Sequence, residues 1–128
     1  MEKSKIAIVI PAFNEEDTIY NEIESVKEDG IVIVVNDASV DETEKKALKA
    51  GAIVVNHDTN RGYDGALNSG FLKAIELECE IIITFDADGQ HDSSIIKKFI
   101  TLINNDYDVV IGIRSNFQRT SEHIFSWV

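Results

Sequence analysis

Residues 5–15 have the sequence KIAIVIPAFNE, in which a β-branched apolar run meets a proline and then a polar turn. An apolar run of this kind predicts a strand over 5–10 that is buried on both faces, as strands of a parallel sheet are. Pro11 is predicted to end that strand. Asn14 is predicted to cap a helix that starts near Glu15 and continues until Gly30.

The alternation of strand and helix continues along the chain. Predicted strands cover 31–35, 52–55, 80–85 and 109–113, and predicted helices cover 41–51, 64–77 and 94–104. Short connections between such elements give an open, mostly parallel sheet with helices on both faces, so we expect a Rossmann-like three-layer α/β/α fold. Ligands of these folds bind beyond the carboxyl ends of the strands.

Composition favours a single acidic globular domain. The 128 residues are 44% hydrophobic and 27% charged, with a formal net charge of −11. That charge would repel a polyphosphate backbone, so general nucleic-acid binding is disfavoured. No apolar run approaches the roughly 20 residues that cross a bilayer, and no secretory signal pattern opens the sequence, so a cytoplasmic location is expected. Cys79 has no metal or redox motif around it and is interpreted as a packing residue.

Asp86 and Asp88 follow the predicted strand 80–85 and lie two positions apart, so in extended backbone they point the same way. Two close carboxylates repel each other unless a cation lies between them, and hard oxygen ligands suit Mg²⁺ or Mn²⁺. The pair therefore favours a metal that holds a diphosphate, with a solvated turn as the alternative. Gln90 and His91 could add ligands.

Other polar residues also follow predicted strands. Asp37 is interpreted as a ligand for a base edge or a ribose hydroxyl, whereas Asp41, which precedes an acidic first turn, is interpreted as a helix cap. The run Asn-Arg-Gly at 60–62, followed by Gly65, indicates a loop whose backbone passes close to a ligand, although packing alone could explain the glycines. Arg114 could hold a phosphate or form an ion pair at the rim.

Five blocks, taken in order, resemble glycosyltransferase family 2, which has the GT-A fold, and within it the dolichyl-phosphate mannose and glucose synthases and related polyprenyl-phosphate sugar transferases. The blocks are 8–15, 36–41, 60–70, 85–91 and 110–114. They are similar to the family's Pro-x-x-Asn-Glu turn, Asp-Asp-x-Ser-x-Asp run, Asn-x-Gly loop, Asp-Ala-Asp-x-Gln-His run and a later strand ending in Arg. Asn36 replaces the first acid of its block, and Asp64 and Ser93 are further departures.

The resemblance implies a site for a nucleotide sugar and a divalent metal. The implied nucleotide-binding positions are Pro11, Phe13, Glu15, Val35, Asp37, Asn60, Gly65, Asp86 and Ala87. The implied ligands of Mg²⁺ or Mn²⁺ are Asp86, Asp88 and Gln90. The implied catalytic residues are Asp86, Asp88 and Arg114.

The implied reaction is inverting transfer of a sugar from a UDP- or GDP-linked donor to a polyprenyl phosphate or a glycan. The implied partners are that donor and acceptor, the cytoplasmic face of a membrane and a second copy of the chain, without nucleic acid. The family's GT-A domain continues beyond this length. We therefore expect 1–114 to be its nucleotide-sugar-binding portion, 115–128 to begin the acceptor side or an irregular tail, and the whole to be a fragment or part of a split gene.

Two alternatives stay open at this point. A truncated module that binds a nucleotide without turning it over would carry the same binding residues. An aspartyl-phosphate phosphatase also has an Asp-x-Asp-Gly run, whose first Asp is a nucleophile, but here Gln90 follows the run and the run itself comes late in the chain. Dinucleotide and P-loop motifs are absent from the sequence.

Overall fold

A computed structural model describes residues 6–85, in which four strands and three helices alternate. In chain order they are β1 (Ile6–Ala12), α1 (Ile19–Val26), β2 (Ile31–Asn36), α2 (Thr43–Lys49), β3 (Ile53–Asn56), α3 (Gly62–Glu76) and β4 (Ile81–Thr84). The predicted alternation is confirmed over this range. The helix predicted at 94–104 and the strand predicted at 109–113 lie outside the described residues.

The four strands form one parallel sheet with the order β3-β2-β1-β4. The chain builds outward from β1 to β3, and α3 then crosses back so that β4 pairs with the free side of β1. In the centre, Ala7 is paired with Ile31 on one side and with Ile82 on the other. The strand order therefore reverses between β1 and β4, and open α/β sheets bind ligands beside such a reversal.

Alternate residues of β1 face two separate cores. Ile6, Ile8 and Ile10 pack with residues of α1 and α2, whereas Ala7 and Val9 pack with residues of α3. Each of the five is at most 2% exposed. The strand is thus buried on both faces, as its unbroken apolar sequence predicted, and the three-layer α/β fold is confirmed for the described residues.

Helix α3 packs closely on the sheet at Gly70. A Cβ built there would clash with a methyl group of Val9 and lie 3.3 Å from a methyl group of Val35. Ala66 and Ala74, one helical turn to each side, are also buried. A side chain at position 70 would push the helix off the sheet, so packing explains this glycine.

The prediction that Pro11 ends β1 is wrong. The strand runs on to Ala12, with Pro11 in register with Val35 of β2. The carbonyl of Val9 accepts a hydrogen bond from the amide of Phe85, so Val9, and with it Pro11 two residues later, turn their polar groups toward β4. Pairing with β4 stops at Val9, and the absent N–H of Pro11 therefore costs no ladder bond.

The prediction that Asn14 caps α1 is also wrong. The helix begins at Ile19, its N-cap residue is Thr18, and Asn14 has a left-handed backbone with φ of 54°. A turn precedes the helix, in which the carbonyl of Glu15 accepts hydrogen bonds from the amides of Thr18 and Ile19. The amides of residues 14–16 bind side chains from the loop after β2 and from the first residue of α2, and these long-range bonds replace the predicted early helix.

The helices and Cys79 bear on two further expectations, the absence of a membrane span and the role of the single cysteine. None of the three helices between residues 6 and 85 combines the length and apolar character that crossing a bilayer requires. Cys79 is half-buried beside the core beneath α3, and burial raises the pKa of its thiol. Its interpretation as a packing residue is confirmed.

Candidate functional site

Three loops meet at the carboxyl edge of the sheet: residues 13–18 after β1, 37–42 after β2, and 57–61 after β3. Backbone hydrogen bonds continue the parallel ladder into them, since the amide of Asp37 donates to the carbonyl of Ala12 and the amide of His57 donates to the carbonyl of Asn36. The fold therefore holds the start of each loop in the same register as the strands.

The first two loops are locked together through Asn14. Its amide donates to Oγ of Ser39 over 2.9 Å, and its Oδ1 accepts from the amide of Val40, also over 2.9 Å. The left-handed backbone of Asn14 turns both groups toward the second loop. Asn tolerates this conformation better than most residues. Asn14 thus braces the two loops against each other.

Asp41 connects the same two loops one turn further along. Its carboxylate accepts hydrogen bonds from the amide of Glu16 at 3.3 Å and from the amide of Thr43 at 3.0 Å, and also from the Thr43 hydroxyl. Glu42 occupies the N-cap position of α2 but its side chain makes no capping hydrogen bond, so Asp41, one residue earlier, caps the helix instead. Although burial raises the pKa of Asp41, the bonds it accepts lower it below its usual range.

Asp37 is the most enclosed carboxylate of the three loops, with 4% of the residue exposed. Its Oδ1 accepts from the amide of Arg61 at 2.8 Å and lies 2.7 Å from Nδ1 of His57, while its Oδ2 accepts from the amide of Gly62 at 2.9 Å. Burial alone would raise the pKa of Asp37, but these donors lower it. Asp37 therefore fastens the start of α3 to the end of β2, a role that sequence reasoning missed.

Asn60 reinforces this junction. Its Nδ2 donates to the carbonyl of Asp37 over 3.2 Å, and its Oδ1 accepts from the amide of Gly62 over 3.1 Å. Gly62 has φ of 81°, a conformation that glycine adopts without the steric cost other residues incur. The Asn-Arg-Gly run is therefore a tight turn, as expected, and its polar side chain faces the protein's own backbone.

The predicted nucleotide-binding side chains of the described residues differ widely in exposure. Phe13 is 48% exposed in the loop after β1, whereas Val35 is fully buried in the core beneath α3. The side chain of Val35 packs against α3, and the assignment of Val35 to the nucleotide site stays a prediction. Pro11 and Glu15 are half-buried on either side of Phe13, and Gly65 lies on the first turns of α3, where an added Cβ would meet Arg61.

The predicted metal and phosphate residues lie outside the described part of the chain. They are Asp86, Ala87, Asp88, Gln90, His91 and Arg114. Within residues 6–85, no three His, Cys, Asp or Glu side chains are grouped so that they could hold a metal ion.

His57 and Ser69 belong to the site but were not among the predicted binding residues. His57 is buried, and its Nε2 lies 2.7 Å from Oγ of Ser69 on α3. The available signal was position, since His57 directly follows a strand end on the edge that also carries Asp37. Ser69 gave no signal because it lies in mid-helix.

Comparison with known proteins is consistent over most of the chain. Residues 7–126 match the profile of glycosyl transferase family 2. An uncharacterised protein of Methanocaldococcus jannaschii is 43% identical over 88% of this chain and 47% of its own length. The UDP-N-acetylglucosamine–dolichyl-phosphate N-acetylglucosaminyltransferase of Methanococcus voltae is 36% identical over 85% of this chain and 51% of its own.

A solved structure shares the fold. The glucosyl-3-phosphoglycerate synthase of Mycobacterium tuberculosis, crystallised with Mn²⁺, UDP and phosphoglyceric acid, superposes with a TM-score of 0.63 at 25% identity, covering 80% of this chain and 39% of that one. The chain thus spans about half the length of its curated relatives or less. The fold is of the GT-A type, and the phosphatase alternative is removed. The chain belongs to glycosyl transferase family 2.

Proposed function

We propose that this chain is the nucleotide-sugar-binding part of a transferase that moves a sugar from a UDP- or GDP-linked donor to a polyprenyl phosphate or glycan, with inversion. The observation that carries the proposal is the braced set of three loops at the carboxyl edge of the sheet, next to the reversal between β1 and β4. The crystallised Mycobacterium tuberculosis relative, which holds UDP and Mn²⁺, supports it.

The nucleoside would lie over the loops after β1 and β2. Phe13 offers an exposed aromatic ring, and stacking on such a ring suits a flat base. Each carboxylate oxygen has two acceptor positions, so Oδ2 of Asp37, which accepts one amide, keeps one for a base N–H or a ribose hydroxyl. Pro11 and Glu15 would line the same pocket, and Asn60 would shape its floor.

The diphosphate would be held by the residues that follow β4 in the chain. Asp86 and Asp88, with Gln90, offer hard oxygen donors that fit Mg²⁺ or Mn²⁺, and Ala87 lies between them. When bound, such an ion neutralises charge on a leaving diphosphate. Arg114 would add a fixed positive charge against phosphate oxygens. Asp86, Asp88 and Arg114 are the proposed catalytic residues, and Gln90 is proposed as a further metal ligand.

The Methanococcus voltae relative is named as a transferase that acts on dolichyl phosphate, and this supports a polyprenyl phosphate as the acceptor. The oxygen of a polyprenyl phosphate is ionised at neutral pH, so it can attack the anomeric carbon without a general base. A glycan hydroxyl would need a base from elsewhere. A lipid-linked acceptor also implies work at the cytoplasmic face of a membrane, and a second copy of the chain could complete the assembly.

Calorimetric titration tests the donor half of this proposal. UDP, GDP and their sugar conjugates are titrated into the chain with and without Mn²⁺, and into Asp88→Ala. We expect metal-dependent binding of one nucleotide series and its loss in the variant. A folded chain that binds neither series would contradict the proposal. Binding without transfer to a polyprenyl phosphate would identify a nucleotide-binding module instead of an enzyme.

A further inference from the structure

Three side chains from different elements form a continuous hydrogen-bonded chain. Oγ of Ser69 lies 2.7 Å from Nε2 of His57, and Nδ1 of His57 lies 2.7 Å from Oδ1 of Asp37. The side chain of His57 is only 2% exposed and that of Asp37 only 6%. We propose that His57 and Ser69 are positioning residues, which act through Asp37 to set the nucleotide site; the link to the nucleotide rests on the proposed function.

The chemistry of Asp37 determines the state of the histidine. A carboxylate whose pKa is lowered is ionised at neutral pH and only accepts hydrogen bonds, so Nδ1 of His57 must carry a proton. In neutral His57, Nε2 then accepts the proton of the Ser69 hydroxyl. The arrangement selects the Nδ1–H tautomer, whereas free imidazole side chains favour the proton on Nε2.

The consequence for the site lies in what else Asp37 binds. The same carboxylate accepts from the amides of Arg61 and Gly62, the residues at which α3 begins. His57 follows the end of β3 and Ser69 lies in the middle of α3. Hydrogen bonds from β3 and from α3 therefore both fix the Asp37 carboxylate. Loss of His57 would free Asp37 to rotate and would release these two amides.

The three residues are also those of a Ser-His-Asp hydrolase triad, but two features of the structure favour a positioning role. A nucleophilic serine needs amides beside it that stabilise an oxyanion, whereas Ser69 lies within α3, where the helix itself uses backbone amides. In addition, the Asp37 carboxylate accepts hydrogen bonds from the amides of Arg61 and Gly62. The geometry therefore serves to hold a loop.

Two matched substitutions distinguish the effect of the hydrogen bond donated to Asp37 from the effect of side-chain size at position 57. His57→Asn places an amide N–H near the position of Nδ1 and keeps a donor for Asp37. His57→Gln places its amide near the position of Nε2 and removes that donor. Ser69→Ala, a milder change, removes the partner of Nε2 without altering the core. All three are compared with the unsubstituted 128-residue chain.

The first readout needs no nucleotide. Nitrogen-15 NMR of the histidine ring is expected to show that Nδ1 of His57 carries a proton. Amide hydrogen exchange is expected to show protected amides at Arg61 and Gly62, with protection lost in His57→Gln and kept in His57→Asn. An Nε2–H tautomer, or equal protection in both variants, would overturn the proposal.

The second readout is affinity for UDP and GDP in the presence of Mn²⁺. His57→Gln is expected to bind roughly tenfold to a hundredfold more weakly, since one hydrogen bond to a buried charge is lost, and His57→Asn to recover most of that affinity. Equal affinity of the two variants overturns the positioning role while leaving the proposed function in place. An unsubstituted chain that binds neither nucleotide overturns the proposed function, and the exchange result then decides the positioning role by itself.

Discussion

Asn36 and Asn56 tie the carboxyl ends of β2 and β3 together: Nδ2 of Asn36 donates to Oδ1 of Asn56 over 2.9 Å. Asn56 in turn donates to Oε2 of Glu44 on α2 over 2.7 Å, and Oδ1 of Asn36 accepts from the amide of Ser39. The family pattern has an acid where this chain has Asn36. Here an amide fits because the position must donate to one neighbour and accept from another.

Replacing Asn36 by Asp should therefore break the hydrogen bond between Asn56 and Glu44, although Asn56 lies between Glu44 and the substituted residue. The new carboxylate cannot donate, so the amide of Asn56 must turn over and present its oxygen to Glu44. We expect Asn36→Asp to lower the free energy of unfolding by about 1 kcal/mol. Urea denaturation measures this. Adding Glu44→Gln, which supplies a donor to the turned amide, should restore most of the loss, and a double variant no more stable than the single one would contradict the arrangement.

Gly70 should not tolerate even a methyl group. Gly70→Ala brings about 1 kcal/mol of helix propensity but overpacks the contact with Val9, which costs about 1–3 kcal/mol, so we expect a net loss of up to about 2 kcal/mol. Thermal or urea unfolding provides the measurement. Asn68→Ala, at an exposed position of α3, is the matched control and should stabilise slightly. A more stable Gly70→Ala would show that the helix stands further from the sheet.

Ala38 carries backbone strain in the loop after β2. Its φ is 66°, and a left-handed conformation costs a residue with a Cβ about 1–2 kcal/mol. Glycine would relieve that strain, against a loss of about 0.4–1 kcal/mol from the freer unfolded chain. We therefore expect Ala38→Gly to stabilise the fold by about 0.5–1 kcal/mol. The same change at Ala50, which has φ of −78°, should destabilise it. Equal effects would argue against the left-handed turn.

The carboxylates of Asp37 and Asp41 should make the free energy of unfolding depend on pH. Burial raises the pKa of Asp37 and Asp41, but the bonds they accept lower both below the ordinary 3.8. Between the folded and unfolded values the unfolded chain binds more protons, so the free energy of unfolding falls as the pH drops through and below about 4. Asp41→Asn should flatten this slope in urea titrations from about pH 3 to 6, whereas Asp58→Asn, at an exposed position, should not.

The fold was predictable because its signals are local. Unbroken apolar runs in β1 and β2 and the spacing of Ile19, Ile23 and Val26 in α1 reflect burial directly, and all three of those helix residues are fully buried. Boundaries were less predictable. The start of α1 depends on amides of residues 14–16, which bind side chains some 25 positions later in the chain, and no local pattern records such partners.

The position of the site on the sheet was predictable, but the contacts between its residues were not. The strand-end rule identified the loops that contain Phe13, Asp37 and Asn60. It did not reveal that Asp37 binds amides at the start of α3, because that bond joins two loops whose register only the folded sheet defines. His57 was visible as a polar residue after β3, but its partner on α3 was not.

Amide chemical-shift mapping locates the nucleotide on the chain. UDP or GDP with Mg²⁺, which is diamagnetic, is titrated into the nitrogen-15-labelled chain. We expect the largest changes at residues 13–15, 37–40 and 60–62, on the carboxyl edge of the sheet. Residues at the opposite edge, such as Gly30 and Gly51, should not respond. Changes centred on that opposite edge, or confined to the surface of α2, would show that the nucleotide binds elsewhere.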